Sequence, residues 1–234
     1  VAGTGGIIWY MRKKREFLRE RFFRQINRVR MENLRSRISP HFTFNVLGRE
    51  INQFNGSEEV KHNLMELVKY LRRSLELTEK LSVSLQDELD FVRTYIELER
   101  GRVGEDFVAT ITVEDGLDAT RIMIPSMIVQ IPVENAIKHG LAGKDGKKEL
   151  MVYVSRETNG IRITVTDNGR GYLPQVVSAT RGTGTGLKVL YQTIQLLNTK
   201  NKSDKIRFNI TNRSDGQTGT EVSVYIPFRF SYDL

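Results

Sequence analysis

Three short clusters in the second half of the chain carry residue types that handle charge. Val133-Glu134-Asn135-Ala136-Ile137-Lys138-His139-Gly140 sets Glu134 and Lys138, and likewise Asn135 and His139, four residues apart. On a helix, each such pair shares a face. Asn135 offers an amide oxygen, a ligand suited to a hard cation such as Mg²⁺. Val165-Thr166-Asp167-Asn168-Gly169-Arg170-Gly171 ends an apolar run on an acid followed by glycines. At a strand end that acid can accept a hydrogen bond from a ligand amino group, and the glycines allow close backbone approach. Arg181-Gly182-Thr183-Gly184-Thr185-Gly186-Leu187 opens a helical pattern. A glycine loop with free N–H groups at a helix start is a phosphate cradle. It is not a Walker A loop, because no Gly-Lys-Ser/Thr ends it, and its G-x-G-x-G spacing differs from the dinucleotide fingerprint. Singly, each cluster reads as a turn or a flexible loop. The signal lies in their order on a helix, a strand end and a helix start.

A fourth stretch holds a nucleophile. Arg37-Ile38-Ser39-Pro40-His41-Phe42-Thr43-Phe44-Asn45 interrupts an arginine-rich helical pattern. Pro40 removes a backbone N–H and disfavours helix at the residue before it. Either the helix kinks there, or a new one starts with Ser39 as N-cap and Pro40 as first residue. In the second case the helix N-terminus favours a neutral imidazole at His41 and a phosphate attached to it. Neutral imidazole is a nucleophile. The plainer alternative is a histidine filling a bundle position between Phe42 and Phe44.

The elements that must position these residues follow from hydrophobic spacing. Leu18, Phe22, Ile26 and Val29 mark one face of a helix over 16–38, suited to pairing with a copy of itself. After Gly56-Ser57, Leu64, Leu67, Val68, Leu71 and Leu75 mark a helix over 58–79. Two such helices make a hairpin, and two hairpins a four-helix bundle. A third helix starts at a capping box, Ser84 with Asp87, and carries Leu89, Val92 and Ile96. From Phe107 the pattern changes. Strands are expected over 107–113, 150–154, 161–166, 206–212 and 221–227, and helices over 127–139 and 186–197. Asn159-Gly160 signals a hairpin turn. The economical fold is α+β: a helical hairpin, dimerising as a four-helix bundle, followed by an α/β sandwich with helices on one face of a mixed, largely antiparallel sheet.

Composition closes several routes. The 234 residues contain no cysteine, which excludes a disulfide scaffold, a thiolate metal site and a cysteine nucleophile. His41, His62 and His139 are the only histidines, too few for a His-rich metal cage. The net charge of +8 is local: residues 11–37 hold eleven Lys/Arg against three acids, and residues 38–234 hold 25 of each. Ile7-Ile8-Trp9-Tyr10-Met11 precedes Arg12-Lys13-Lys14-Arg15, the aromatic-then-basic order of the end of a membrane helix. The run is too short to span a bilayer by itself, since spanning takes about 20 apolar residues. A terminal remnant is the alternative reading. Juxtamembrane arginines beside anionic lipid explain the basic cluster better than nucleic-acid binding does.

Taken together, the boxes resemble those of LytS-like sensor histidine kinases, which carry a GHKL-type ATPase domain. Ser39-Pro40-His41-Phe42-Thr43-Phe44-Asn45 resembles the phosphoacceptor box of that family. Leu85-Gln86-Asp87-Glu88-Leu89 through Tyr95-Ile96-Glu97-Leu98-Glu99 and Arg102 resembles its linker helix. Ile124-Pro125 through Gly140 resembles the N-box, Asp167 through Gly171 the G1 box, Gly182 through Leu187 the G2 box, and Thr218-Gly219-Thr220-Glu221 through Pro227 the last strand pair. The family's usual Gln-Ile-Asn before Pro-His is Arg37-Ile38-Ser39 here. Thr43 and Thr185 stand where aliphatic residues are common, and the segment between Gly171 and Gly182 is short.

The resemblance implies catalytic roles for His41, which would attack the γ-phosphate of ATP, for Glu134 as a polarising group and for Asn45 in the phosphoacceptor box. It implies that Asn135 holds Mg²⁺ and that Lys138 or His139 faces the phosphates. Asp167 would take the adenine amino group with help from Thr220. Gly169 and Gly171 would admit the nucleotide, and Gly182, Gly184, Gly186 and Leu187 would close over it. The implied cofactors are ATP and Mg²⁺. The implied partners are a second copy of the chain, a response regulator of the LytTR type and, through an upstream segment, the cytoplasmic face of the bacterial cell membrane, with no direct contact to nucleic acid. The expected organisation is the end of a truncated membrane helix (1–11), a juxtamembrane signalling helix (12–37), dimerisation and phosphoacceptor helices (38–82), a linker helix (83–104) and an ATP-binding catalytic domain (105–230). Because ATP and His41 would lie on separate modules, residues 78–84 and the linker helix are expected as hinges. The competing readings are a catalytically weak ATP-binding scaffold or dimer partner, and a GHKL ATPase of another kind. The latter leaves the Pro40-His41 hairpin without a role.

Overall fold

A computed structural model of the chain describes residues 13–14, 58–172, 185–201 and 203–232. His41, Asn45, Gly182 and Gly184, and the helix expected over 16–38, lie outside those residues. Helix α1 (Glu58–Glu79) buries Leu67, Tyr70, Ser74 and Leu77, one face at spacings of three and four. A short strand β1 (Ser82–Ser84) leads into helix α2 (Leu85–Val103). Ser84 caps α2: its Oγ accepts the Asp87 N–H at 3.1 Å, as the capping box requires. The stripe Leu89, Val92 and Ile96 is buried as expected. Tyr70 of α1 stacks on Phe91 of α2, with ring centroids 4.8 Å apart and planes 2° from parallel. Arg73 and Asp87 form an ion pair beside that stack.

Strand β2 (Phe107–Val113), strand β3 (Met123–Pro125), helix α3 (Gln130–Asn135) and a widened helical turn (Ala136–Gly140) come next. They are followed by strands β4 (Lys148–Glu157) and β5 (Gly160–Asp167), helix α4 (Thr185–Lys200) and strands β6 (Arg207–Asn212) and β7 (Thr220–Pro227). Five strands form one sheet in the order β2-β4-β5-β7-β6, and only β2 and β4 run parallel. Side chains alternate across it, as a two-residue period demands. Leu150, Val152 and Val154 of β4 point to the core with Ile161, Ile163 and Val165 of β5 and Val222, Val224 and Ile226 of β7. Met151 and Tyr153 face out. The inner face packs against Ile131 of α3, Ile137 of the turn and Leu190, Ile194 and Leu197 of α4, in one continuous core with α1 and α2. Helices thus cover one face of the sheet, and the fold is α+β.

Two segments differ from the expectation. The apolar residues over 127–129 read as a helix start, but the helix begins at Gln130 because Met127 is left-handed, with φ of 70°. Residues 78–84, expected as a hinge, hold β1, which pairs antiparallel with β3 at Ser82↔Pro125, Val83↔Ile124 and Ser84↔Met123. Three residues are too few to show a period, so this pairing has no trace in the sequence.

Candidate functional site

Asp167 is the last residue of β5 and is almost fully buried, at 3% exposure. Its Oδ1 accepts the Gly169 N–H at 2.8 Å and the Thr220 N–H at 3.4 Å. Burial pushes its pKa up from the ordinary 3.8, and the hydrogen bonds from Gly169 and Thr220 only partly offset that. Backbone crowds Asp167 on two sides: Gly140 and Gly169 at its carboxylate, and Gly219 at its main-chain carbonyl. A Cβ on Gly140 would stand 2.8 Å from Asp167 Oδ1, one on Gly169 would stand 2.1 Å from the Gly140 carbonyl oxygen, and one on Gly219 would stand 1.9 Å from the Asp167 carbonyl oxygen. No side chain fits at those three positions without moving the backbone of the site.

The neighbouring wall is the end of α3 and the turn after it. Leu141 N–H donates to the Ala136 carbonyl, five residues back, at 2.8 Å, which widens the turn. Such π turns recur at functional sites. Lys138 Nζ and Glu134 Oε1 form an ion pair at 2.5 Å, the i, i+4 pair read from the sequence. His139 is held below its ordinary pKa by burial first, then by the charges of Lys138 and Arg170. Arg170 Nε donates to the His139 carbonyl at 2.9 Å, tying the loop after β5 to this turn. The Nδ2 of Asn135 is buried and has no hydrogen-bond partner. An amide in that state is uncommitted and fits a site completed by a ligand.

Asn168 and Asn212 serve the backbone. Asn168 Oδ1 accepts the Glu149 N–H at 2.8 Å, and its Nδ2 donates to the Lys147 carbonyl at 3.0 Å. Asn212 Oδ1, at the end of β6, accepts the Tyr172 N–H at 2.6 Å and fills the space beside Gly171, whose φ is 85°. Gly186 and Leu187 lie in the first turn of α4, and Leu187 packs on the core. The structure therefore brings together Asp167, Gly169, Gly171 and Thr220, with Lys138 and His139 on the adjoining turn and Glu134 and Asn135 just before it. Gly140, Gly219 and Asn212 were not assigned from the sequence. Gly140 and Gly219 stand inside the quoted boxes, but what crowds them comes from distant strands. Asn212 carried no signal.

Among the described residues no group of three or more His, Asp or Glu could hold a metal ion. The unsatisfied atom of Asn135 is its amide nitrogen, a donor that suits a phosphate oxygen; its amide oxygen is the kind of single protein ligand that Mg²⁺ takes alongside phosphate and water.

Comparison with known families agrees with this geometry. The histidine kinase profile matches residues 29–107, and the profile of histidine kinase-, DNA gyrase B- and HSP90-like ATPases matches residues 120–229. The chain belongs to the histidine kinase family. Its first match takes in His41, α1 and α2, and its second takes in β3 through β7. Sensor histidine kinase YpdA of Escherichia coli (strain K12) is 28% identical over 202 residues, covering 86% of this chain and 34% of that protein. Sensor histidine kinase/phosphatase LytS of Staphylococcus aureus (strain MRSA252) is 32% identical over 197 residues, covering 80% and 33%. The chain spans about a third of the length of these curated relatives. Among solved structures, the histidine kinase domain of the blue-light activated kinase of Erythrobacter litoralis EL346 aligns over 88% of this chain and 94% of its own, at 15% identity and a TM-score of 0.48. No helix among the described residues is long and apolar enough to cross a membrane.

Proposed function

We propose that the chain is the kinase core of a sensor histidine kinase in a two-component system. The observation that carries the reading is the buried Asp167 carboxylate, enclosed by Gly140 and Gly169 and bonded by the Thr220 N–H, in a chain whose first part matches the histidine kinase profile. A carboxylate that deep is costly unless something polar meets it. The adenine amino group of ATP meets it, with Thr220 beside it. The Asn135 amide oxygen holds Mg²⁺, whose charge offsets the phosphates when bound. Lys138 exchanges Glu134 for a phosphate, and His139, kept neutral by its surroundings, leaves that phosphate wall without a further fixed charge. Gly182, Gly184, Gly186 and Leu187 close over the phosphates. Phosphoryl transfer needs positioning and charge neutralisation more than covalent help. The unprotonated nitrogen of neutral His41 attacks the γ-phosphorus, the N–P bond forms, the bond to the ADP oxygen breaks, and the ring's one N–H proton, on the other nitrogen, passes to solvent. Glu134 polarises, and Asn45, four residues after the nucleophile in the phosphoacceptor box, shares in the catalysis.

In the same reading, residues 1–11 end a membrane helix, 12–37 form the juxtamembrane helix, 38–82 the dimerising phosphoacceptor helices, 83–104 the linker and 105–230 the ATP-binding domain. The protein acts as a homodimer at the cytoplasmic face of the membrane and passes its phosphoryl group to an aspartate of a LytTR-type response regulator. Incubation with γ-labelled ATP and Mg²⁺ tests this. Acid-labile label is expected on the wild-type chain and none on His41→Gln. Equal label on both would overturn the assignment of His41, and nucleotide binding without label would favour the scaffold reading.

A further inference from the structure

Glu88 lies in the first turn of α2, where an acid ordinarily serves its own helix N-terminus. That end is already capped by Ser84. Glu88 instead is fully buried, at 0% exposure, and reaches across the core. Its Oε2 accepts the Met127 N–H at 2.9 Å, and its Oε1 accepts the Val129 and Gln130 N–H groups at 3.1 and 3.2 Å. These N–H groups head α3, the six-residue helix that ends on Glu134 and Asn135. Three such bonds from one side chain fix the backbone of this turn. They hold Met127 in left-handed backbone at φ of 70°, a conformation that persists only where the surroundings over-determine it.

The same few residues are also bonded to α1 and to the segment just after it. Ser126 Oγ donates to the Leu77 carbonyl, Ser126 N–H donates to the Leu81 carbonyl at 3.1 Å, and Gln130 Nε2 donates to Tyr70 Oη at 3.4 Å. Tyr70 itself stacks on Phe91 of α2. The entry to α3 is therefore fixed by α1 and α2 together, and Asn135 follows it by five residues of helix. A shift of the helix pair moves this entry, and a helix this short transmits the shift to its other end.

We propose that Glu88 is a positioning residue: by holding the Met127, Val129 and Gln130 N–H groups it sets α3 so that Asn135 faces a magnesium-bound nucleotide, and so ties that affinity to the placement of α1 and α2. The proposal rests on the ATP-binding reading above. Its test uses the full chain, a fluorescent ATP analogue with and without Mg²⁺, and Glu88→Gln. Glutamine keeps the shape and one acceptor oxygen but turns an NH₂ toward the Met127 N–H. The gain in affinity conferred by Mg²⁺ should fall roughly ten-fold, the size seen when groups supporting a metal ligand are altered, while affinity without Mg²⁺ changes by less than about two-fold, a purely structural support leaving both alike. A folded Glu88→Gln with an undiminished Mg²⁺ gain would overturn the proposal, whatever its melting temperature. If the variant does not fold, hydrogen exchange on the wild-type chain decides. By reciprocity, Mg²⁺ with nucleotide should slow exchange at the Met127, Val129 and Gln130 amides beyond nucleotide alone, and unchanged rates would overturn the coupling. A wild-type chain that binds no nucleotide would overturn the ATP-binding reading itself, and this proposal with it.

Discussion

Asp167 illustrates what burying an acid does to stability. Its folded-state pKa lies above the ordinary 3.8 because burial outweighs its hydrogen bonds. The folded chain therefore binds this proton more tightly than the unfolded chain does. The stabilisation is complete below the ordinary value and is lost as pH rises through the raised one, so at neutral pH the ionised group costs stability. Asp167→Asn keeps an oxygen for the Gly169 N–H and removes the buried charge. Its melting temperature at pH 7 should equal or exceed that of the wild type, and stability should stop falling as pH rises above about 4. Its affinity for a fluorescent ATP analogue should drop by about ten-fold or more, the cost of a mismatched charged hydrogen bond. Equal affinity would remove Asp167 as the adenine partner. The acid and its glycines were legible as a cluster, since acid-then-glycine at a strand end is a local pattern. That Gly140 closes on its carboxylate and Gly219 on its main-chain carbonyl was not, because each is separated from it by tens of residues. Glu88 was quoted only as part of the linker-helix pattern: its position in a helix's first turn has a local explanation, and the structure shows a distant use.

At the scale of elements, the site is a convergence of ends: the end of β5, the turn after α3 and the entry to β7. Strand pairing sets this convergence, since Thr166↔Glu221 in the β5–β7 register brings Gly219 under Asp167. Gly219→Ala would push a methyl group into the Asp167 carbonyl at a φ of 137°. A loss of about 2–3 kcal/mol is expected from overpacking and backbone strain together, read by urea denaturation, and nucleotide binding should weaken with it. A loss below about 0.5 kcal/mol, the size of an ordinary surface change, would mean the backbone there yields freely. The strands were readable by alternation, and the capped start of α2 by its box. The late start of α3 was not, because Met127 is apolar at a helical spacing and the contacts that fix this turn, to Glu88, Leu77 and Leu81, come from distant residues.

For the whole molecule, α1 and α2 join the sheet domain in one core rather than standing apart from it. Phe91 is 2% exposed and stacked on Tyr70, at the centre of that junction. Phe91→Ala should cost about 3–5 kcal/mol, and chemical denaturation should still show one transition, since a single core unfolds together. Two separated transitions would mean that α1 and α2 unfold independently of the sheet.

Sequence alone determined which residues meet chemistry locally, which segments alternate with a period of two or 3.6, where a helix is capped, and that the order of boxes is that of a histidine kinase. Those properties reside in a few neighbouring residues and survive without a fold. Tertiary structure alone decided that Gly140 and Gly219, from distant segments, close on Asp167, that β1 pairs with β3 across the expected hinge, and that Glu88 of one helix holds the start of another. Each depends on contacts between residues far apart in the chain, where no spacing rule reaches and only packing brings the partners together.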